Sequence, residues 1–158
     1  MLSGMESYEA REQLEIVRRA EAAPYIDYPR TPWWYAPSVG AWVGAMIGAF
    51  SWWRENAAIF SGLLATLVVL EVVFLAWMGR RHGALPMPGR GTPPPEIAAA
   101  WRGYALALPG VALAVALTWW LAGPPVAAGV SFVLVTAGLA VYERRYALAA
   151  AKVRARLA

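Results

Sequence analysis

Glu71 is the only ionisable side chain in the run TLVVLEVVFLAW. A carboxyl in such surroundings can act in two ways. As a neutral acid it bridges helices through hydrogen bonds; as a titrating group it holds a proton or a cation on a transport path. An acidic residue at membrane depth costs about 2.5–3.5 kcal/mol on insertion scales, so it faces a bundle interior or a water path. Counting depth along the apolar runs puts Trp42 and Thr136 in the same layer, as candidate hydrogen-bond partners. Glu71, Trp42 and Thr136 are therefore the candidate proton or cation site.

Little else in the chain can carry a reaction. Cysteine is absent and His82 is the one histidine. Together these exclude disulfides, thiolate metal sites, thiol catalysis and a two-histidine metal site. No Ser-His-Asp set, HExxH, phosphate-binding loop or GxGxxG occurs in a suitable context. His82 follows Arg80 and Arg81 and reads as a solvated side chain. The expectation is a protein that is not an enzyme, with no catalytic, cofactor-binding or metal-binding residues.

The elements that must position Glu71 are membrane spans. Hydrophobic residues make up 59% of the 158 and charged ones only 15%, where a soluble domain carries roughly a quarter charged. A span takes about 20 mostly apolar residues. Four stretches qualify: about 37–53, 57–78, 103–122 and 124–142. The links inside each pair are short, Arg54-Glu55-Asn56 and the turn at Gly123-Pro124. All Lys and Arg other than Arg54 lie in the N-terminal segment, the central loop and the C-terminal tail. Cytoplasmic segments retain basic residues, so both termini and the central loop are expected in the cytoplasm. Topology thus accounts for the +4 net charge, and no nucleic-acid partner is expected.

Aromatic residues mark the two membrane surfaces. Trp52, Trp53, Trp119 and Trp120 end spans one and three on the outer side; Trp33 and Trp34 precede span one on the inner side. Amphipathic rings partition to headgroup depth, so these are interface anchors rather than a ligand cage. Ser51-Trp52-Trp53 and Thr118-Trp119-Trp120 are 67 residues apart, as are Trp34 and Trp101. The chain reads as two in–out–in hairpins of one orientation, from duplication or from convergence on the same interface depths. Gly40, Gly44 and Gly48 form a small-xxx-small stripe in span one. Close backbone approach drives helix association in lipid, so the stripe packs against another span of its own chain or against a second copy.

The remaining segments are cytoplasmic. Residues 5–23 read as a helix ended by Pro24, with a thin apolar stripe of Ala10, Leu14 and Val17. Through Arg30 the segment holds six acids against four bases, unlike a lipid-binding helix, so it is expected to contact protein. PYIDYPRTPWWYAP is expected to be extended along the membrane surface. The tail ERRYALAAAKVRARLA is basic and helix-forming. It either touches anionic headgroups or docks the acidic N-terminal helix.

The expected fold is an all-α integral membrane protein: a four-helix bundle of two hairpins with a cytoplasmic N-terminal helix and an extended C-terminal helix. Its parts are an acidic helix and surface segment (1–36), a first hairpin (37–78), a Pro/Gly-rich linker (79–102), a second hairpin (103–142) and a basic tail (143–158). The expected function is that of a non-catalytic accessory or scaffold subunit in the plasma membrane. Its partners are membrane lipids and either itself or a larger membrane-protein complex. The alternative is a small oligomeric transporter or channel using Glu71.

Overall fold

The computed structural model describes residues 2–27, 31–82 and 92–157, with side chains from residue 12 onward and none at 81 and 82. The described elements are all helical: α1 (Leu2–Ile26), α2 (Tyr35–Ala49) continued by a 3₁₀ turn (Phe50–Trp52), α3 (Ala57–His82) and α4 (Pro95–Leu157). Two helices are long and apolar enough to cross a membrane, Ala57–Arg80 and Pro95–Leu157. In neither is any residue of the most apolar window buried inside the protein.

At 63 residues, α4 would measure roughly 95 Å if straight, about three times a hydrocarbon core. It is broken at Gly123, whose φ of 82° and ψ of 174° lie in a region essentially reserved for glycine. Pro124 and Pro125 follow and restart the helix, since proline suits a first turn. The two arms, residues 95–122 and 124–157, then lie side by side. The rings of Tyr104 and Tyr142, equidistant in sequence from Gly123, meet at 5.0 Å. Pro109 sits within the first arm without leaving helical dihedrals.

Neighbours of α2 lie on two opposite faces. Gly40, Gly44 and Gly48 meet residues 128–136 of the second α4 arm. About 180° around the helix, Trp34, Tyr35 and Trp42 meet α3. Aromatic groups pin α2 to α3 at both ends, with Phe50, Trp53 and Phe60 at one and Trp34, Tyr35, Phe74 and Trp77 at the other. Phe50 also meets Trp119 of the first arm. Among the described residues α3 packs on α2 and the 3₁₀ turn alone. These helices therefore form an open layer, not the closed four-helix bundle expected from the sequence.

Two segment boundaries also differ from expectation. Pro24 does not end α1, which continues to Ile26, with the Asp27 amide donating to the Ala23 carbonyl at 2.9 Å. Tertiary packing overrides the proline: Tyr25 and Ile26, just beyond it, are buried against α4. The expected extended segment shrinks accordingly, because Tyr25 and Ile26 join α1 while Tyr35, Ala36 and Pro37 join α2. The centre of the expected Pro/Gly-rich linker, residues 83–91, lies outside the described residues.

Candidate functional site

Burial along α3 follows one stripe. Phe60, Leu64, Leu67, Glu71, Phe74 and Met78, spaced by three and four, are less exposed than their neighbours. Val68, Val69, Val72, Val73 and Leu75 all point outward. Glu71 thus belongs to the face turned to α2, where an acid in an apolar helix is least costly. The two helices run antiparallel, with Trp42 level with Leu67 and Tyr35 level with Phe74. This register puts the exposed Ser38 level with Glu71, a juxtaposition not read from the sequence. Only the α2–α3 register reveals it.

Neither expected partner of Glu71 meets it. The Trp42 indole donates to the Leu67 carbonyl at 3.1 Å, using the second lone pair of a helical carbonyl. Thr136 lies across α2 from α3: a Cβ on Gly40 would overlap its Oγ1 and sit 2.8 Å from the Phe132 carbonyl oxygen. Thr136 Oγ1 is buried and finds no partner among the described residues. Thr136 meets α2 at Gly40 while Glu71 faces α2 from α3, so α2 stands between Thr136 and Glu71. No hydrogen bond to Glu71 forms among the described residues. Gly44 approaches Ala128 and Phe132, and Gly48 approaches Ala128, so all three glycines of the stripe serve one intramolecular contact.

The interface anchors fall into two groups. Trp34 and Trp77 pack at 5.5 Å at the α1 end; Trp53 and Trp119 pack on Phe60 and Phe50 at the opposite end. Trp33 and Trp120 stand out from the surface at 88% and 81% exposure, and Trp52 is also exposed.

A second polar cluster, around Glu143, was not singled out in the sequence. Its carboxylate accepts a hydrogen bond from Thr31. Tyr35, Tyr104 and Tyr142 lie within electrostatic reach of one another. Burial raises the Glu143 carboxyl above its usual range, with the Thr31 hydrogen bond pulling the other way. Burial, reinforced by Glu143 and then Tyr104, raises the Tyr35 phenol. In the sequence this acid is hidden by ERRY, where the following arginines dominate the reading.

Beyond Glu143, α1 and the two α4 ends form a clasp. Ala22, Tyr25 and Ile26 pack with Ile97, Ala149, Ala150 and Val153. Tyr146 donates to the Tyr25 carbonyl at 2.9 Å, and Arg154 donates to the Ile26 carbonyl through both Nε and a terminal nitrogen. A cation on the last carbonyls of a helix complements its dipole. Glu96 and Arg156 pair at 2.7 Å across the arms. The basic tail therefore meets the acidic helix, but through apolar burial and carbonyl capping. Leu14 and Val17 of the expected contact stripe are exposed.

Among the described residues no group of three His, Asp or Glu side chains could hold a metal ion. The chain matches no protein-family model, and no curated protein or solved structure is significantly similar to it.

Proposed function

We propose that this protein is a non-catalytic scaffold or accessory subunit of the plasma membrane, with four spans in two in–out–in hairpins and both termini in the cytoplasm. Its spans are residues 37–53, 57–78, 103–122 and 124–142, and the clasp stands on the cytoplasmic side. The basic-residue bias supports the orientation. The unburied apolar faces of α3 and α4 support the spans.

One observation carries the subunit reading. The clasp holds only the C-terminal end of α1, through Ala22, Tyr25 and Ile26. Ahead of that anchor, Leu14, Ile16 and Val17 are 56%, 62% and 51% exposed. A helix anchored at one end that leaves bulky apolar side chains in water along the rest offers them to a protein partner. Native mass spectrometry after gentle extraction tests this. The expected result is a stoichiometric complex that the triple change L14Q/I16Q/V17Q dissolves while the protein stays in the membrane. A wild-type chain that is monomeric at every concentration overturns the reading.

The second reading, a proton- or cation-coupled transporter, rests on Glu71: it lies on the inward stripe of α3 with no hydrogen-bond partner among the described residues. Proton flux into proteoliposomes that Glu71→Gln abolishes, with assembly intact, would favour it. No flux from the wild type would remove it.

A further inference from the structure

Residues 143–157 continue the second α4 arm without a break, and three directions around this tail are taken. Tyr146, Ala149, Ala150 and Val153 pack into the clasp. Arg154 turns to the Ile26 carbonyl of α1, and Arg156 turns to Glu96 of the first arm. One direction is left open. Arg144, Leu148 and Lys152, spaced by four, fall along it, since a step of four residues turns a helix by only about 40°. All three are exposed, Leu148 at 65%.

The charge on this face has one sign. Among the described residues the tail's one ion pair is Arg156 with Glu96, so Arg144, Arg145 and Lys152 pair with no carboxylate. The Arg145 guanidinium flanks the face on the side of the first arm, 3.7 Å from where a Cβ on Gly103 would be. Between the cations the surface is apolar: Ala147, Ala151 and Ala155 are exposed beside Leu148. Arg144 and Lys152 are eight residues apart, about 12 Å along the axis. That separation exceeds one small anion and matches two turns of a facing helix.

We propose that this face docks an acidic segment of the partner protein, with carboxylates two turns apart to meet Arg144 and Lys152 and an apolar side chain between them to cover Leu148. The proposal rests on the subunit reading above and names the chemistry of the partner. A membrane surface fits the face less well. With span four ending at Tyr142, Leu148 and Lys152 stand roughly 9 and 15 Å farther along the helix, whereas a headgroup layer is about 5–8 Å deep. The clasp also keeps the tail from lying down, because Ala149, Ala150 and Val153 on its other side are packed with Ile97 of the first arm. Complementary charge at such a face selects the partner and suppresses wrong ones.

A benzophenone side chain in place of Leu148, in the full chain irradiated in its native membrane, tests this. The expected adduct is a protein other than this chain, joined through a peptide in which Asp and Glu outnumber Lys and Arg. Lys152→Glu should lower its yield at least about tenfold, since like charges across an interface repel the partner, while Lys152→Arg preserves it. Lys152 is exposed, so neither change threatens the fold. An adduct with lipid alone, with this chain itself or with a peptide lacking the acidic excess overturns the proposal, as does a yield that Lys152→Glu leaves unchanged. The same probe at Ala155, at the rim of the face, guards against a label that blocks docking; no protein adduct from either position overturns the proposal. The two readings fail separately: a complex that L14Q/I16Q/V17Q dissolves, but that gives only lipid adducts from 148 and 155, sinks this site and leaves the subunit reading standing.

Discussion

Ile97 and Val153 at one end of the molecule, and Gly40 and Thr136 in its middle, are all at buried helix contacts, yet the two places are built from opposite materials. In the clasp, branched and aromatic side chains interlock until Ile97 and Val153 are 0% and 1% exposed. Removing apolar area from water holds such a contact together. In the layer formed by α2, α3 and the second arm, backbones meet over glycine, and the large side chains turn outward. Val126, Val133 and Val73 are exposed there, a cost in water and none in hydrocarbon. The clasp has the interlocked side chains of a contact made in water, and the α2–α4 contact has the glycine-lined backbone approach that helix contacts in lipid use.

The largest expected effect breaks the first half of this contrast. Ile97→Ala leaves a cavity in a core with no spare side chain to fill it, and such changes cost about 2–5 kcal/mol. Because α1 is held only through its last turns, the loss should appear as faster hydrogen exchange along residues 12–26, with α2 unaffected. Equal loosening of α2 would show that the clasp and the glycine-packed layer unfold as one unit and that the division drawn above is wrong.

The second effect concerns the glycine contact. A Cβ at Gly40 meets backbone, the Phe132 carbonyl at 2.8 Å, which cannot swing aside as a side chain end can. Gly40→Ala should destabilise by about 1–3 kcal/mol. At Gly48 the nearest atom is the Ala128 Cβ at 3.6 Å, ordinary contact. Gly48→Ala should be neutral or slightly stabilising, since alanine is the better helix former. Unfolding in mixed micelles would show this gradient. Equal effects at both positions would mean that the stripe acts through helix propensity and not through close approach.

The parts legible in the sequence are those set by local rules. The helical class followed from apolar runs and sparse charge, the break at Gly123 from a Gly-Pro-Pro cluster, and the glycine stripe from its four-residue spacing. Parts set by tertiary packing were not legible. Thr136 and Glu71 share a depth, but depth says nothing about which helix stands between them, and α2 does. Pro24 reads as a helix stop until Tyr25 and Ile26 are seen buried beyond it. Glu143 is masked by its basic neighbours, and only the meeting of Thr31, Tyr35 and Tyr104 from distant segments picks it out. The open layer was equally hidden, since nothing in the pattern of α3 states that among the described residues it touches only α2 and the 3₁₀ turn.

The smallest effect sharpens the account of the clasp, and it compares two arginines of the tail, Arg154 and Arg156, separated by one residue. Both bear the same charge, so a purely electrostatic docking of basic tail on acidic helix would make them equivalent. Their partners differ. Arg156 meets Glu96 in an exposed pair, side chains 53% and 28% accessible, and such pairs contribute about 0–1 kcal/mol. Arg154 donates to the Ile26 carbonyl, at the negative end of the α1 dipole, where a cation gives about 0.3–1 kcal/mol and up to about 2 when partly buried. Arg154→Gln should therefore loosen the last turn of α1 more than Arg156→Gln does, with hydrogen exchange at residues 22–26 as the readout. High salt should narrow the Arg156 effect first, because the exposed pair is the more screened. Matching losses from the two substitutions would return the clasp to simple charge attraction and leave its apolar core as a consequence of docking, not its cause.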